Sequence, residues 1–224
     1  MILLCKKYIF YLFWIIAWFD IIGLIFNLGP VHFIMKPLLM PVLIFSILLF
    51  THNTPARIKM IGALFFSFLG DVFLLLEGKD PLFFIVGLCC FLVTHIFYIR
   101  WFRQLSISRR SLIKDHPYVI FIILAYTASL LYVLVPGLGE LIIPVILYAC
   151  IISTMLYFSL CISYSISKFT RYLILAGTIC FVLSDSLLAM NKFYKPFPFA
   201  AAIVMFTYCM AQYYIVKGFI RNRN

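Results

Sequence analysis

Residues 58–76 read IKMIGALFFSFLGDVFLLL. Apart from Lys59 near its start and Asp71 towards its end, every position is apolar or small. About 20 such residues cross a bilayer core. Inside lipid each backbone N–H and C=O needs a partner from the chain itself, so the segment must be a helix. A strand of a membrane β-barrel would alternate over about ten residues, whereas this run is continuous.

The same pattern recurs along the whole chain. Its 224 residues are 66% hydrophobic and 11% charged, with a mean hydropathy of +1.13. Soluble domains are about 45–50% apolar and about 25% charged. The composition therefore predicts an all-α integral membrane protein with almost no extramembrane domain, and it excludes disorder, a collagen-like fibre and a disulfide scaffold. Hydropathy places eight transmembrane helices at about 8–28, 35–51, 58–76, 82–102, 117–135, 140–160, 170–190 and 197–217. Gly29-Pro30, Asn53-Thr54-Pro55, Asp80-Pro81, Pro117, Pro136-Gly137 and Pro196 stand at their ends, where chain breakers belong. The run from Tyr8 to Leu28 is too long for the apolar core of a signal peptide and has no small-residue cleavage site, so it reads as the first span.

The net charge of +11 does not make a nucleic-acid patch, because the basic residues fall in short clusters between apolar runs. Lys6, Lys7, Arg57, Lys59, Arg100, Arg103, Arg109, Arg110, Lys114, Lys168, Arg171, Lys217, Arg221 and Arg223 share one side of the eight-span arrangement. Lys36, Lys79, Lys192 and Lys195 share the other. That asymmetry places both termini in the cytoplasm. The seven cysteines are odd in number, lie mostly inside apolar runs and form no C-x-x-C, so they read as packing residues. The two halves also resemble each other. Phe68-Leu69-Gly70-Asp71-Val72-Phe73-Leu74 and Val182-Leu183-Ser184-Asp185-Ser186-Leu187-Leu188 each join a small residue, an aspartate and an apolar finish, as a 4+4 parallel repeat would.

Chemistry has few places to reside. Glu77, Asp80, Asp115 and Glu140 fall in loops, which leaves Asp20, Asp71 and Asp185 inside spans. An acid in hydrocarbon costs at least a few kcal/mol and normally faces a cavity or a partner. Counted from Lys7, Lys59 and Arg171 at 1.5 Å per residue, the three acids reach about 20, 18 and 21 Å, one level in the outer half of the membrane. The competing reading is helix packing or snorkelling, and it weighs most on Asp20. Lys36, beside Pro37 and Pro41, serves either as an interfacial lysine or as a counter-charge or phosphate contact. His95 with Tyr98, and Tyr208 with Gln212, share helix faces and read as interhelical hydrogen-bonding pairs that could support a site. His32, His52 and His116 are assigned to loops and build no metal site. No phosphate loop, G-x-S-x-G elbow or H-E-x-x-H occurs.

Three stretches resemble the YhhN-type lysoplasmalogenase family: residues 61–71 (IGALFFSFLGD), residues 93–98 (VTHIFY), and residues 184–189 (SDSLLA) with Phe193. Lys36-Pro37-Leu38 and Thr207-Tyr208 with Gln212 fit the same pattern. The resemblance implies an eight-span hydrolase that cleaves the vinyl ether bond of lysoplasmalogens. Its products would be a fatty aldehyde and glycerophosphoethanolamine or glycerophosphocholine. It also implies Asp71 and Asp185 as the catalytic acids. Such acid–base chemistry requires no metal and no organic cofactor, and the expected partners are a lysophospholipid and the lipid bilayer. Two rivals remain open on the residues alone. One is a proton-coupled small transporter or lipid permease. The other is an ester-cleaving lysophospholipase, for which Ser67, four residues before Asp71, is the nearest hydroxyl.

Overall fold

The computed structural model describes residues 2–106 and 110–223, with side chains from residue 8 onward. The side chains of Lys6 and Lys7, and all of Arg109, therefore lie outside the described residues. The described chain is helical: α1 (Ile2–Ile25), α2 (Gly29–Phe50), α3 (Pro55–Leu75), α4 (Pro81–Leu105), the short α5 (Leu112–Asp115), α6 (Val119–Leu138), α7 (Ile142–Leu160), α8 (Lys168–Phe193) and α9 (Ala200–Arg221). An isolated bridge pairs Ser111 with Ser163 across the connections.

Local chemistry explains the helix starts. Thr54 accepts a hydrogen bond from the Arg57 N–H and is followed by Pro55. Asp80 accepts from the Leu82 N–H ahead of α4, and Ser167 accepts from the Thr170 N–H ahead of α8. Such caps satisfy backbone donors that the first helical turn cannot. One boundary differs clearly from expectation. The second helix begins at Gly29, not near residue 35, because Pro30 in the first turn has no N–H to lose and starts a helix instead of breaking one. The α1–α2 turn is made by Asn27 at φ 55°, a conformation asparagine tolerates better than most residues.

Among the described residues, seven segments are long and apolar enough to cross a membrane: Tyr8–Ile25, Gly29–Phe50, Pro55–Leu75, Pro81–Leu105, Val119–Leu160, Lys168–Phe193 and Ala200–Arg221. The fifth has 42 residues. As one straight helix it would measure about 63 Å, twice the hydrocarbon thickness. It is instead bent back on itself. Gly139, at φ 52°, opens a 3-10 turn (Gly139–Leu141) between α6 and α7. Beyond the turn, Thr127 Oγ1 and Ser153 Oγ meet at 2.7 Å although 26 residues separate them. Leu134, Leu138 and Val145 close the hairpin in one buried cluster.

The chain divides into two compact units within α4. The first comprises residues up to Tyr98 and the second Ile99–Asn222. In the first unit the core is a stripe from each helix, including Phe13 and Ala17 of α1, Leu39 and Leu43 of α2, and Met60 and Leu64 of α3. Helices α3 and α4 pack closely at Gly70, where an added Cβ would stand 2.7 Å from the Phe91 ring. Ser67 donates to Thr94 Oγ1 (3.1 Å), and Thr94 lies 3.1 Å from the Ala63 carbonyl. In the second unit α8 and α9 approach at Gly177, whose Cβ would meet Ile215 at 2.8 Å and the Ala211 carbonyl at 2.9 Å. Trp101 packs edge-on against Phe219, with centroids 5.1 Å apart. Large apolar side chains also cover the surface: Tyr11, Phe26, Phe121, Tyr132 and Ile143 are each more than 60% exposed. Water would penalise such a surface, while hydrocarbon does not.

Candidate functional site

Each unit holds an aspartate that a partner from another helix reaches. In the first unit Asp71 lies one turn before the end of α3 and is 1% exposed. Lys36 reaches in from α2, with Nζ 4.0 Å from Asp71 Oδ1. α2 starts two turns before Lys36, so this lysine does not stand at the helix mouth. Its side chain is 12% exposed and forms an ion pair. Pro37 and Pro41 lie inside α2 immediately after it. Neither has an N–H, so the carbonyls four residues earlier, Phe33 and Pro37, lose their helical donors.

Asp20, near the end of α1, is fully buried. His32 Nδ1 stands 2.7 Å from its Oδ1, with the ring about one-fifth exposed. This corrects the loop assignment of His32, which clusters with an acid after all. The reason is again the early start of α2, which carries His32 on its first turns beside α1.

In the second unit Asp185 lies two turns before the end of α8 and is half-buried. The Tyr148 hydroxyl donates to Asp185 Oδ2 at 2.5 Å from α7. The next residue, Ser186, accepts from the Tyr126 hydroxyl of α6 at 2.8 Å. With Thr127 and Ser153, these groups form a polar seam through an apolar hairpin. A cavity of about 50 Å³ opens beside them, lined by Tyr126, Tyr148, Asp185 and Ser186 among apolar neighbours. That volume holds water, which needs about 10–15 Å³, but not a lipid chain. Ser184 donates to the Val204 carbonyl at 3.0 Å, so the small residue before this aspartate joins α8 to α9.

The remaining expected residues are placed as follows. His95 and Tyr98 are both fully buried on α4. Gln212 is fully buried and Tyr208 nearly so on α9, where the Tyr208 ring packs edge-on against Phe181. The structure therefore pairs Lys36 with Asp71 within one unit, and it adds three residues that sequence reasoning missed: His32, Tyr126 and Tyr148. The signal for His32 was Gly29-Pro30 read as a helix start, one of the two readings that this dipeptide allows. The tyrosines were not, being two of fourteen in the chain with no charge to mark them.

Comparison with known proteins gives these residues a context. Human lysoplasmalogenase TMEM86A is 27% identical over 172 residues, covering 75% of this chain and 68% of its own length. The Bos taurus lysoplasmalogenase TMEM86A is 29% identical over 178 residues, covering 78% and 70%. Mus musculus lysoplasmalogenase TMEM86B is 31% identical over 161 residues, covering 72% of this chain and 63% of its own, so the match spans less than two thirds of that relative. No solved structure matches the chain. Residues 31–219, a stretch containing both Lys36–Asp71 and Tyr148–Asp185, match the YhhN family. The chain is a member of the YhhN family.

Proposed function

We propose that this protein is a membrane hydrolase that cleaves the vinyl ether bond of lysoplasmalogens, with Asp71 and Asp185 performing the proton transfers. The similarity to relatives named lysoplasmalogenase carries the substrate class. Two intramembrane aspartates, each with a partner from another helix, support the chemistry. A carboxylic acid delivers a proton to the vinyl carbon, leaving an oxocarbenium ion. Water adds to that cation and loses a proton to a carboxylate. The resulting hemiacetal collapses to a fatty aldehyde and a glycerophospho-alcohol, so one water is consumed and the catalytic proton is returned. One carboxyl must therefore give a proton while another takes one. The cavity at Asp185 has room for the water.

We further propose eight crossings, with the α6–α7 hairpin counted as two, and both termini in the cytoplasm on the basis of the Lys and Arg asymmetry. A 4+4 repeat is supported by the way each aspartate-bearing helix, α3 and α8, packs through small residues on the helix that follows it. Cysteine labelling of the 104–114 stretch from the cytoplasmic side is the expected outcome. Labelling from the opposite side would overturn the orientation.

The central test uses purified protein in detergent with a lysoplasmalogen, and free aldehyde is the expected product. The saturated alkyl ether lysolipid should bind and remain intact, since it has no double bond to protonate. Fatty acid release from an ester lysolipid at a matching rate would favour a lysophospholipase. Turnover of neither lipid, with proton flux in proteoliposomes that depends on the aspartates, would favour a transporter.

A further inference from the structure

The α1–α2 turn gathers groups that the proton-transfer steps leave unused. Asp20 is fully buried, and its Oδ1 lies 2.7 Å from His32 Nδ1. A carboxylate only accepts, so Nδ1 donates and the second ring nitrogen, Nε2, remains for a ligand. Asp20 Oδ2 has no hydrogen-bond partner among the described residues, so the imidazole is the donor this buried acid depends on. That dependence holds the ring in one orientation.

His32 and Lys36 are four residues apart on α2 and thus one turn apart on one helix face. Their side chains stay 21% and 12% exposed, enough to meet a ligand from the turn end of the unit. Lys36 Nζ stands 4.0 Å from Asp71 Oδ1, beyond hydrogen-bond length, and an ammonium has three donors to offer. His32 lies at the end of the first turn of a 22-residue helix, whose starting end carries partial positive charge, and Lys36 lies one turn deeper.

We propose that His32 and Lys36 form a phosphate-ester subsite, with Asp20 as the positioning residue that fixes the imidazole. With Nδ1–H committed to Asp20, only the doubly protonated imidazolium carries an Nε2–H. In that form the Nε2–H of His32 and an N–H of Lys36 would meet different phosphate oxygens, with the charge-assisted geometry such anions favour. Resting on the hydrolase reading above, the inference assigns this subsite to the head-group phosphate of the lysolipid. Lys36 then connects phosphate binding to Asp71.

Binding of the uncleaved saturated alkyl ether lysolipid is compared with binding of the monoalkylglycerol of equal chain length, which lacks the phosphate. Displacement of a fluorescent lysolipid from the whole protein in detergent provides the readout. Wild type should prefer the phosphate-bearing ligand at least tenfold. His32→Gln and Lys36→Gln should each shrink that ratio to about threefold or less. Asp20→Asn should shrink it in the wild-type background and have no further effect on a His32→Gln background, because it acts through His32. Equal binding of the two ligands by wild type would overturn the subsite even where a variant fails to fold, as would an unchanged ratio in folded His32→Gln. Displacement by millimolar inorganic phosphate or by glycerophosphoethanolamine would assign the same chemistry to free phosphate esters. Resistance to both, with the preference intact, would assign it to the lipid head group. The readout is independent of turnover. Aldehyde release without phosphate preference would therefore sink the subsite alone, and phosphate preference without aldehyde release would sink the hydrolase reading alone.

Discussion

Around Asp71 the protein packs a cation: Lys36 reaches in from α2, and the acid is 1% exposed. Around Asp185 it packs a phenol and a void: Tyr148 donates from α7, and a cavity of about 50 Å³ adjoins the half-buried acid. The two aspartates arise from matching local sequence, a small residue before the acid and an apolar run after it. They lie at similar distances from the starts of their helices, about 24 Å for α3 and about 26 Å for α8 at 1.5 Å per residue. Yet their company differs in charge and in exposure. Local pattern positions an acid along a helix axis, while the neighbouring helices decide what that acid meets.

The strongest way to break this comparison is to remove the titrating proton from each acid in turn. Asp71→Asn and Asp185→Asn should each lower lysoplasmalogen turnover at least about a hundredfold in folded protein, since general acid–base steps are worth about 10² to 10⁴. Aldehyde release by the purified variants measures this. Near-full activity in either variant would reduce the pair to a single catalytic acid.

Partner removal gives the next largest effect and should separate the two surroundings by stability. Lys36→Met leaves a buried carboxylate without its cation, which costs about 3–5 kcal/mol. Tyr148→Phe removes one hydrogen bond to a half-buried acid beside a water-sized cavity, a loss of about 1.5–3 kcal/mol. Thermal unfolding in detergent should therefore rank Lys36→Met as the weaker protein, and the reverse order would contradict the larger cost assigned to breaking the ion pair. The smallest expected effect concerns the helix contact beside Asp71. Ser67→Ala removes the link to Thr94 and should cost about 0.6 kcal/mol, typical of interhelical hydrogen bonds in membranes. A change in turnover far beyond that cost would bring the Ser67 hydroxyl into the chemistry.

Much of this was legible in the chain. The positions of the helices follow from continuous apolar runs punctuated by proline, glycine and asparagine. Asp20, Asp71 and Asp185 stand out because so few charges lie in those runs. His32 was misplaced for a definable reason: Gly29-Pro30 can end a helix or begin one, and hydropathy does not distinguish the two. Tyr126 and Tyr148 were invisible because a tyrosine in an apolar run signals burial and hydrogen bonding equally.

Sequence alone determined that the protein lives in lipid, that its backbone is helical and where its acids sit along their helices. Those properties depend on how residues adjacent in the chain meet a uniform solvent, and they are additive along a segment. Only the tertiary structure decided that Lys36 pairs with Asp71, His32 with Asp20 and Tyr148 with Asp185. Each pairing joins residues 12 to 37 positions apart on different helices. It depends on the rotation of each helix about its axis and on the close approaches that packing residues such as Gly70 and Gly177 permit.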